Sequence, residues 1–258
     1  MIIKICGITS PETAVACFEL GADMIGLVHF APSQRHLDLP ALADITYAVA
    51  PLRSVNCAGG TSGKKIVLLV VDKNVEKIMR ILDVCDHQFD YVQFYGCETE
   101  AASLENHVPV LRPVRDEATC ARLLEDWRLE AIDCREDTLG LLSKASSLKP
   151  KVLPKVLPEA RYVVELAPGL YPGGNGLSWD WSNAAPFCRK FPTLLAGGIT
   201  PDNVAEAIRL AQPLGIDVSS GVESAPGIKD IDKVKRLIDN THKAIINGDQ
   251  HHENHTTG

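Results

Sequence analysis

The sequence lacks a hydrophobic run of membrane-spanning length, an excess of basic residues and a CxxC pair, and each absence excludes a class of protein. No apolar stretch approaches the roughly 20 residues that a transmembrane helix needs. The formal net charge of −7 at pH 7 argues against a protein that coats nucleic acid or anionic lipid, so we expect neither as a partner. The chain opens with the strand-like MIIKICGIT, and we therefore expect no secretory signal and a cytoplasmic location.

The eight cysteines are scattered along the chain, at positions 6, 17, 57, 85, 97, 120, 134 and 188. Without CxxC spacing they do not indicate a zinc ribbon or a thioredoxin-type dithiol. Without a secretory signal they are typical of a protein in a reducing cytosol. We expect most of them to be inert thiols in the core, where a free cysteine behaves as a small hydrophobe. Cys6 is the exception, because it stands at the end of the first predicted strand.

What the sequence does contain is a regular alternation of apolar, β-branched runs and amphipathic stretches. Eight runs predict strands, at Ile2–Cys6, Asp23–Phe30, Lys65–Val71, Asp90–Tyr95, Pro109–Val114, Arg161–Glu165, Thr193–Ala196 and Ile216–Ser219. Helices are predicted between them, among them Pro11–Leu20, Pro40–Ala50, Asn74–Val84, Asp116–Trp127 and Pro201–Ala211. Runs that are apolar on both faces favour parallel strands covered by helices. The alternation predicts a single closed (β/α)₈ TIM barrel, and the alternative is an open doubly wound sheet, although no GxGxxG follows the first strand.

Three stretches fall outside a minimal barrel. Residues 53–64 form a loop rich in glycine and serine, and residues 128–160 contain LEAIDC and the short repeat KVLPKVLP. Residues 248–258 are polar throughout, which predicts a disordered tail. We therefore expect one barrel domain over residues 1–247, with insertions at about 53–64 and 128–160, the second of them ahead of strand six.

Chemistry in a (β/α)₈ barrel lies at the carboxyl ends of the strands, and the first strand ends in two inward-facing polar residues. Side chains alternate along a strand, so Lys4 and Cys6 share a face and point into the barrel if Ile3 and Ile5 face the helices. A thiol acts as a base only as the thiolate, and a nearby ammonium group lowers its pKa. The alternative is that Cys6 only fills a small space in the core.

An inward-facing Lys4 needs a partner, because an unpaired buried ammonium group is costly. The first and eighth strands are neighbours in a closed barrel. Asp217 and Ser219 share a face of the eighth strand, so Asp217 points inward if Ser219 points into the site. The sequence therefore predicts an ion pair between Lys4 and Asp217.

Small residues follow the last three predicted strands. They are Gly173, Gly174 and Gly176 after strand six, Gly197 and Gly198 after strand seven, and Ser219, Ser220 and Gly221 after strand eight. Such residues let backbone N–H groups approach an anion closely, and the loops after strands seven and eight are where barrels of this class bind phosphate. Arg35, after strand two, offers a guanidinium fork for a carboxylate or a phosphate. Together these residues predict a small phosphorylated substrate.

Six segments, in this order between Lys4 and Asp230, resemble phosphoribosylanthranilate isomerase of tryptophan biosynthesis. They read KICGIT, SQRHLDL, VQFYG, GGNGLSWDW, LLAGGITPDNV and GIDVSSGVESAPGIKD. The resemblance implies a (β/α)₈ barrel that performs an Amadori rearrangement of an aminoaldose to an aminoketose, without metal or cofactor. It also implies that Cys6 is the general base at C2′ of the ribose, that Arg35 holds the anthranilate carboxylate, and that the three small-residue loops bind the phosphate.

The chain departs from the family pattern near its expected acid. The family's general acid is an aspartate that ends strand six, where this chain has Glu165. Asp133, inside the insertion, is a rival for the role, but only the spacing from Glu165 to the GGNG loop matches the family. Tyr95 stands where the family usually has the histidine of VQLHG.

Two other functions stay open at the level of sequence. One is a catalytically impaired or re-specialised paralogue that binds a related phosphosugar, which would follow if Glu165 cannot reach the ring oxygen. The other is a different phosphate-binding barrel enzyme. A Schiff-base aldolase needs a lysine at a strand end, where only Lys4 is near. A metal-dependent epimerase needs histidines and carboxylates at several strand ends, and only His29 is near one.

Overall fold

The structure is a computed structural model, and it describes residues 1–53, 63–126, 160–166 and 179–253. Eight strands form a closed barrel in chain order, and every neighbouring pair is parallel, including the pair that joins the last strand to the first. The strands are β1 (Ile2–Cys6), β2 (Met24–His29), β3 (Lys65–Val71), β4 (Tyr91–Tyr95), β5 (Val110–Val114), β6 (Tyr162–Val164), β7 (Thr193–Ala196) and β8 (Gly215–Val218). The predicted (β/α)₈ barrel is confirmed, and the open sheet is excluded.

Helices follow most of the strands. They are α1 (Pro11–Leu20), α2 (Leu39–Arg53), α3 (Val75–Val84), α4 (Glu98–Leu104), α5 (residues 117–126), α6 (Ala185–Cys188), α7 (Val204–Ala211) and α8 (Ile231–Glu253). α1 has its predicted bounds because its ends are marked locally: the Ser10 hydroxyl accepts a hydrogen bond from the Thr13 N–H, and Gly21 ends the helix with a φ of 110°. Among the described residues, no helix has the length and apolarity needed to cross a membrane.

The core has two parts, separated by the wall of the barrel. Ile3 and Ile5 of β1 are fully buried against the surrounding helices, together with the outward-facing apolar residues of the other strands. A second cluster, which includes Met24, Val67 and Leu194, fills the inside of the barrel. Because Ile3 and Ile5 point outward, Lys4 and Cys6 point inward, as the alternation of side chains predicts.

Three features differ from the sequence-based expectations. Beyond β8 the chain forms a small antiparallel hairpin, β9 (Glu223–Ala225) and β10 (Ile228–Lys229), that was not predicted. Helix α8 continues to Glu253, so the first six residues of the expected disordered tail have helical backbone. Strand β6 is only three residues long and ends one residue before Glu165.

Several expectations lie outside the described residues. These are the segments 54–62, 127–159 and 167–178, the end of the tail at 254–258, and within them Cys57, Asp133, Cys134, Gly173, Gly174 and Gly176. Of the six cysteines that are described, five are buried and Cys97 is exposed. The expectation that most cysteines are core residues holds for this described set.

Candidate active site

A pocket opens at the carboxyl ends of the strands, as expected for a barrel of this kind. Its lining includes the predicted residues Cys6, Arg35, Glu165, Gly197, Gly198, Ser219, Ser220 and Gly221. About 690 Å³ of space lies between its walls, including solvent at the open mouth. The predicted site residues that the structure describes therefore line one pocket.

The Cys6 side chain lies on the β1 wall, against a glycine of the neighbouring strand. Gly26 is the register partner of Cys6, and a Cβ atom added at Gly26 would lie 2.6 Å from the Cys6 sulfur. Burial raises the pKa of the thiol above its ordinary value, although Lys4 and Lys229 act in the opposite direction. Lys4 therefore acts on the thiol in the expected direction, but burial outweighs the ammonium charge and Asp217 adds a negative charge nearby, so the net pKa of Cys6 is raised.

The predicted ion pair of Lys4 is confirmed. Lys4 is fully buried, and its Nζ lies 2.8 Å from Oδ2 of Asp217 on β8. Nζ also donates a hydrogen bond of 2.8 Å to Oε1 of Gln93 on β4. Burial on its own lowers the pKa of Lys4, but Asp217 and Cys6 together raise it above its ordinary value. Oδ1 of Asp217 is buried and has no partner among the described residues, so it is free to accept a hydrogen bond from a ligand.

Glu165 lies on the opposite side of the pocket, immediately after β6. Its backbone N–H donates to the Val114 carbonyl at 3.0 Å, and this bond fixes the start of its side chain at the barrel mouth. The side chain is 5% exposed, and its carboxyl group has no hydrogen bond to any described residue. Burial, followed by the negative charge of Asp217, raises its pKa to about 7, while Arg115 and Lys4 act to lower it. A carboxyl group of this pKa is suited to donate a proton near neutral pH.

Arg35 is held by a carboxylate that the sequence analysis did not consider. Its Nε donates to Oε1 of Glu223 at 2.7 Å, and its Nη2 donates to Oε2 at 2.6 Å. Oε1 of Glu223 also accepts a hydrogen bond of 2.7 Å from Lys229, and Lys229 donates to the Ser219 carbonyl at 3.1 Å. One edge of the Arg35 fork is therefore occupied, and Nη1 and one proton of Nη2 stay available on the pocket side.

Glu223 and Lys229 both belong to the hairpin that the sequence analysis missed. The local signal was the Pro226–Gly227 pair between ESA and IK, a dipeptide that marks turns. Gly227 adopts a φ of 81°, as this turn requires. The hairpin places its two charged residues between the Arg35 loop and the end of β8, which are far apart in sequence.

The loop after β7 is held by side-chain N–H groups that donate hydrogen bonds to its backbone carbonyl groups. The indole N–H groups of Trp179 and Trp181 donate to the carbonyls of Ala196 and Gly197, at 3.1 and 3.0 Å. Asn203 donates to the Gly198 carbonyl at 2.9 Å. These bonds occupy the carbonyl groups of the loop.

The backbone N–H groups of the same region are available for an anion. Gly197 and Gly198 have φ values of 88° and 69°, and a Cβ at Gly197 would lie 2.7 Å from the Trp179 ring nitrogen. Within the described part of the chain, the N–H groups of Gly198, Ser220 and Gly221 donate to no protein acceptor. Free N–H groups from two adjacent loops are the donor set that a phosphate group needs.

Several ionisable side chains line the pocket, and such side chains can bind a metal ion when three or more of them are grouped. In the ranges that the structure describes, no three His, Cys, Asp or Glu side chains are grouped so that they could hold a metal ion. The described residues of the pocket supply proton donors, proton acceptors and backbone N–H groups that can bind an anion.

The family model and the sequence relatives that match this chain carry the same enzyme name. The sequence model of the family described as N-(5′phosphoribosyl)anthranilate (PRA) isomerase matches residues 163–240. The N-(5′-phosphoribosyl)anthranilate isomerase of Erythrobacter litoralis is 36% identical over 234 residues, covering 91% of this chain and 95% of that protein. The isomerase of the same name from Trichlorobacter lovleyi is 35% identical over 245 residues, covering 94% and 98%.

Solved structures agree with the sequence relatives. The phosphoribosyl anthranilate isomerase of Thermotoga maritima has a TM-score of 0.69 at 26% identity, covering 94% of this chain and 100% of that chain. A phosphoribosyl anthranilate isomerase in complex with reduced 1-(o-carboxyphenylamino)-1-deoxyribulose 5-phosphate has a TM-score of 0.65 at 25% identity, with the same coverage.

Proposed function

The chain belongs to the N-(5′-phosphoribosyl)anthranilate isomerase family, and from this membership we propose how its own residues carry out the reaction. The protein is an isomerase that converts N-(5′-phosphoribosyl)anthranilate to the carboxyphenylamino-deoxyribulose phosphate, an Amadori rearrangement of tryptophan biosynthesis. We propose Glu165 as the general acid and Cys6 as the general base. The observation that carries this proposal is that one pocket holds both a carboxyl group with a pKa of about 7 and a thiol beside a buried lysine.

Glu165 acts in the first step, the opening of the ribose ring. Its carboxyl group donates a proton to the ring oxygen, the bond between C1′ and that oxygen breaks, and C1′ forms a protonated Schiff base with the anthranilate nitrogen. The acid must hold its proton at neutral pH, and the pKa of about 7 for Glu165 allows this. The absence of hydrogen bonds from described residues to the carboxyl group leaves it free to bond to the substrate.

Cys6 acts in the second step, the removal of the proton on C2′. The electron pair of the C2′–H bond forms a double bond between C1′ and C2′ and neutralises the nitrogen cation, which gives an enolamine that tautomerises to the ketone. Lys4 and Lys229 favour the thiolate form of Cys6, and the cation of the Schiff base acts in the same direction once substrate is bound.

Two separate groups of pocket residues bind the two anionic groups of the substrate. We propose that the available edge of Arg35 binds the anthranilate carboxylate, held in place by Glu223. The free N–H groups of Gly198, Ser220 and Gly221, with Ser219 and Gly197 beside them, bind the phosphate. Gly173, Gly174 and Gly176 remain part of the proposed phosphate site on the strength of the sequence. The proposal includes a cytoplasmic location and no nucleic-acid partner.

The test follows the loss of fluorescence of phosphoribosylanthranilate as it is consumed. Cys6→Ala and Glu165→Gln should each lower kcat by about 10²- to 10⁴-fold, because each removes one proton transfer. Glu165→Asp should lower kcat by about 10²-fold, since the carboxyl group retreats by about one bond length. Cys97→Ala and Glu206→Gln change exposed residues and serve as controls with wild-type rates.

The measured rates distinguish the proposed roles of Glu165 and Cys6 from the alternatives. An unchanged rate in Glu165→Gln would contradict the acid assignment and make Asp133 the next residue to test. An unchanged rate in Cys6→Ala would make the thiol a core residue. A wild-type protein that binds the reduced product yet does not turn over would instead indicate the impaired paralogue.

A further inference from the structure

Tyr95, at the end of β4, is a pocket residue to which the proposed mechanism gives no role. Its side chain is 8% exposed and lines the same pocket as Cys6 and Glu165. It packs in one small cluster with Cys6, Val28 and Leu69. This cluster extends from β1 to β4, so Tyr95 and the thiol are parts of one packed group at the pocket.

The hydrogen bonds that lead to Tyr95 have a fixed direction. The ammonium group of Lys4 can only donate, so the Gln93 atom that lies 2.8 Å from Nζ is the amide oxygen. The amide nitrogen of Gln93 then faces Tyr95 and donates to its hydroxyl oxygen at 2.9 Å. The Lys4 charge thus determines the orientation of the Gln93 amide, and the amide makes the Tyr95 oxygen an acceptor on that side.

The proton of the Tyr95 hydroxyl has no acceptor among the described residues. Burial, together with the charges of Glu165, Asp217 and Cys6, raises the pKa of Tyr95 well above its ordinary value, so the hydroxyl keeps this proton. A buried donor without an acceptor is costly in a folded protein. The hydroxyl lies in the pocket, where a bound ligand can supply the missing acceptor.

We propose that Tyr95 donates a hydrogen bond to the oxygen on C2′ of the sugar and so determines which face of C2′ meets Cys6. This inference rests on the proposed role of Cys6, since the oxygen on C2′ is the sugar oxygen adjacent to the proton that the thiolate removes. In the ketone product this oxygen can only accept, and Tyr95 in this network has only a proton left to donate. The two groups are complementary.

The test compares two ligands on two proteins. One ligand is the reduced product, 1-(o-carboxyphenylamino)-1-deoxyribulitol 5-phosphate. The other is its analogue that lacks the oxygen on C2, the carbon that corresponds to C2′ of the substrate. Calorimetry with the wild-type protein should show that loss of this oxygen weakens binding by about 10-fold, the scale of one hydrogen bond to a buried donor. Tyr95→Phe should bind both ligands with nearly equal affinity. Tyr47→Phe, which removes the same atom from an exposed residue, should keep the wild-type ratio.

The proposal is overturned if the two ligands bind the wild-type protein with nearly equal Kd values. It is also overturned if the ratio of the two Kd values is the same in Tyr95→Phe as in the wild type. If Tyr95→Phe does not fold, Tyr95→Met removes the hydroxyl with a more adaptable side chain, and the same ratio near one is expected. Binding is measured without turnover, so the result is independent of Cys6 and Glu165. Loss of turnover in Cys6→Ala, measured in parallel, tests the proposed function itself.

Discussion

The β1–β8 wall and the β6 wall of the pocket each contain a buried ionisable group. The first wall favours the charged form of its group, and the second favours the neutral form. On the first wall, Lys4 is fully buried and bonded to Asp217 and Gln93, and its pKa is raised despite burial. On the second wall, Glu165 is buried with no hydrogen bond to its carboxyl group from any described residue, and its pKa is also raised.

The same direction of shift has opposite meaning at the two sites. A raised pKa for Lys4 means that its charged form is favoured, because a carboxylate pairs with it. A raised pKa for Glu165 means that its charged form is disfavoured, because burial removes water and Asp217 adds a like charge. One wall is built to hold a charge, and the other is built to hold a proton.

The largest effect that tests this comparison is expected from Lys4→Met. This change leaves the Asp217 carboxylate buried without its partner, and the free energy of unfolding should fall by about 3–5 kcal/mol. Denaturant unfolding measures the difference. Lys235→Met removes an exposed lysine of an i,i+4 pair and should change stability by less than about 0.5 kcal/mol. An equally small change in Lys4→Met would mean that the β1–β8 wall does not depend on the pair.

A smaller effect of opposite sign is expected from Glu165→Gln. The folded protein holds the Glu165 proton up to about pH 7, whereas the unfolded chain releases it near pH 4.3, so stability contributed by the protonated form is lost as pH rises between these values. At pH 8 the glutamine variant should be more stable than the wild type by an amount on the order of 2 kcal/mol, and the gap should close toward pH 4.

Unfolding curves at several pH values check this expectation. Glu206→Gln, on the exposed face of α7, provides the control and should follow the wild type at every pH. If the Glu165→Gln and wild-type stabilities stay parallel from pH 4 to pH 8, the carboxyl group of Glu165 is not held neutral by burial.

The smallest of these effects is expected at the hairpin. Glu223→Gln weakens the bidentate hold on Arg35, so the KM for phosphoribosylanthranilate should rise by about 10-fold while kcat stays within about 3-fold. Steady-state kinetics separate the two constants. A fall in kcat at unchanged KM would contradict the proposal that Glu223 positions a substrate-binding arginine, and a melting curve shows whether the loss of the Lys229 partner has weakened the hairpin.

The sequence predicted the parts of this molecule that depend on local pattern or on neighbouring strands. The bounds of β1, β3, β7 and α1 match because apolar runs and caps mark them directly. The Lys4–Asp217 pair could be predicted because closure of the barrel makes β1 and β8 neighbours, and alternation then places both side chains inside.

The parts that were missed depend on the three-dimensional placement of distant loops. Glu223 contacts Arg35 across 188 positions of sequence, and no periodicity indicates such a contact. The net pKa of Cys6 could not be inferred from its lysine neighbour, because burial and the Asp217 charge raise it while Lys4 and Lys229 lower it. Tyr95 was visible as a departure from the family pattern, but its role as a donor depends on the orientation of the Gln93 amide.

The contact between Gly26 and the Cys6 sulfur limits how this protein can change over evolutionary time. Any replacement of Gly26 adds at least a Cβ atom, which would lie 2.6 Å from the sulfur and displace it. The same Cβ atom would lie 3.1 Å from the Cys6 Cα, so a smaller residue at position 6 would relieve only part of the crowding. We therefore expect a substitution of Gly26 to move the proposed base out of position.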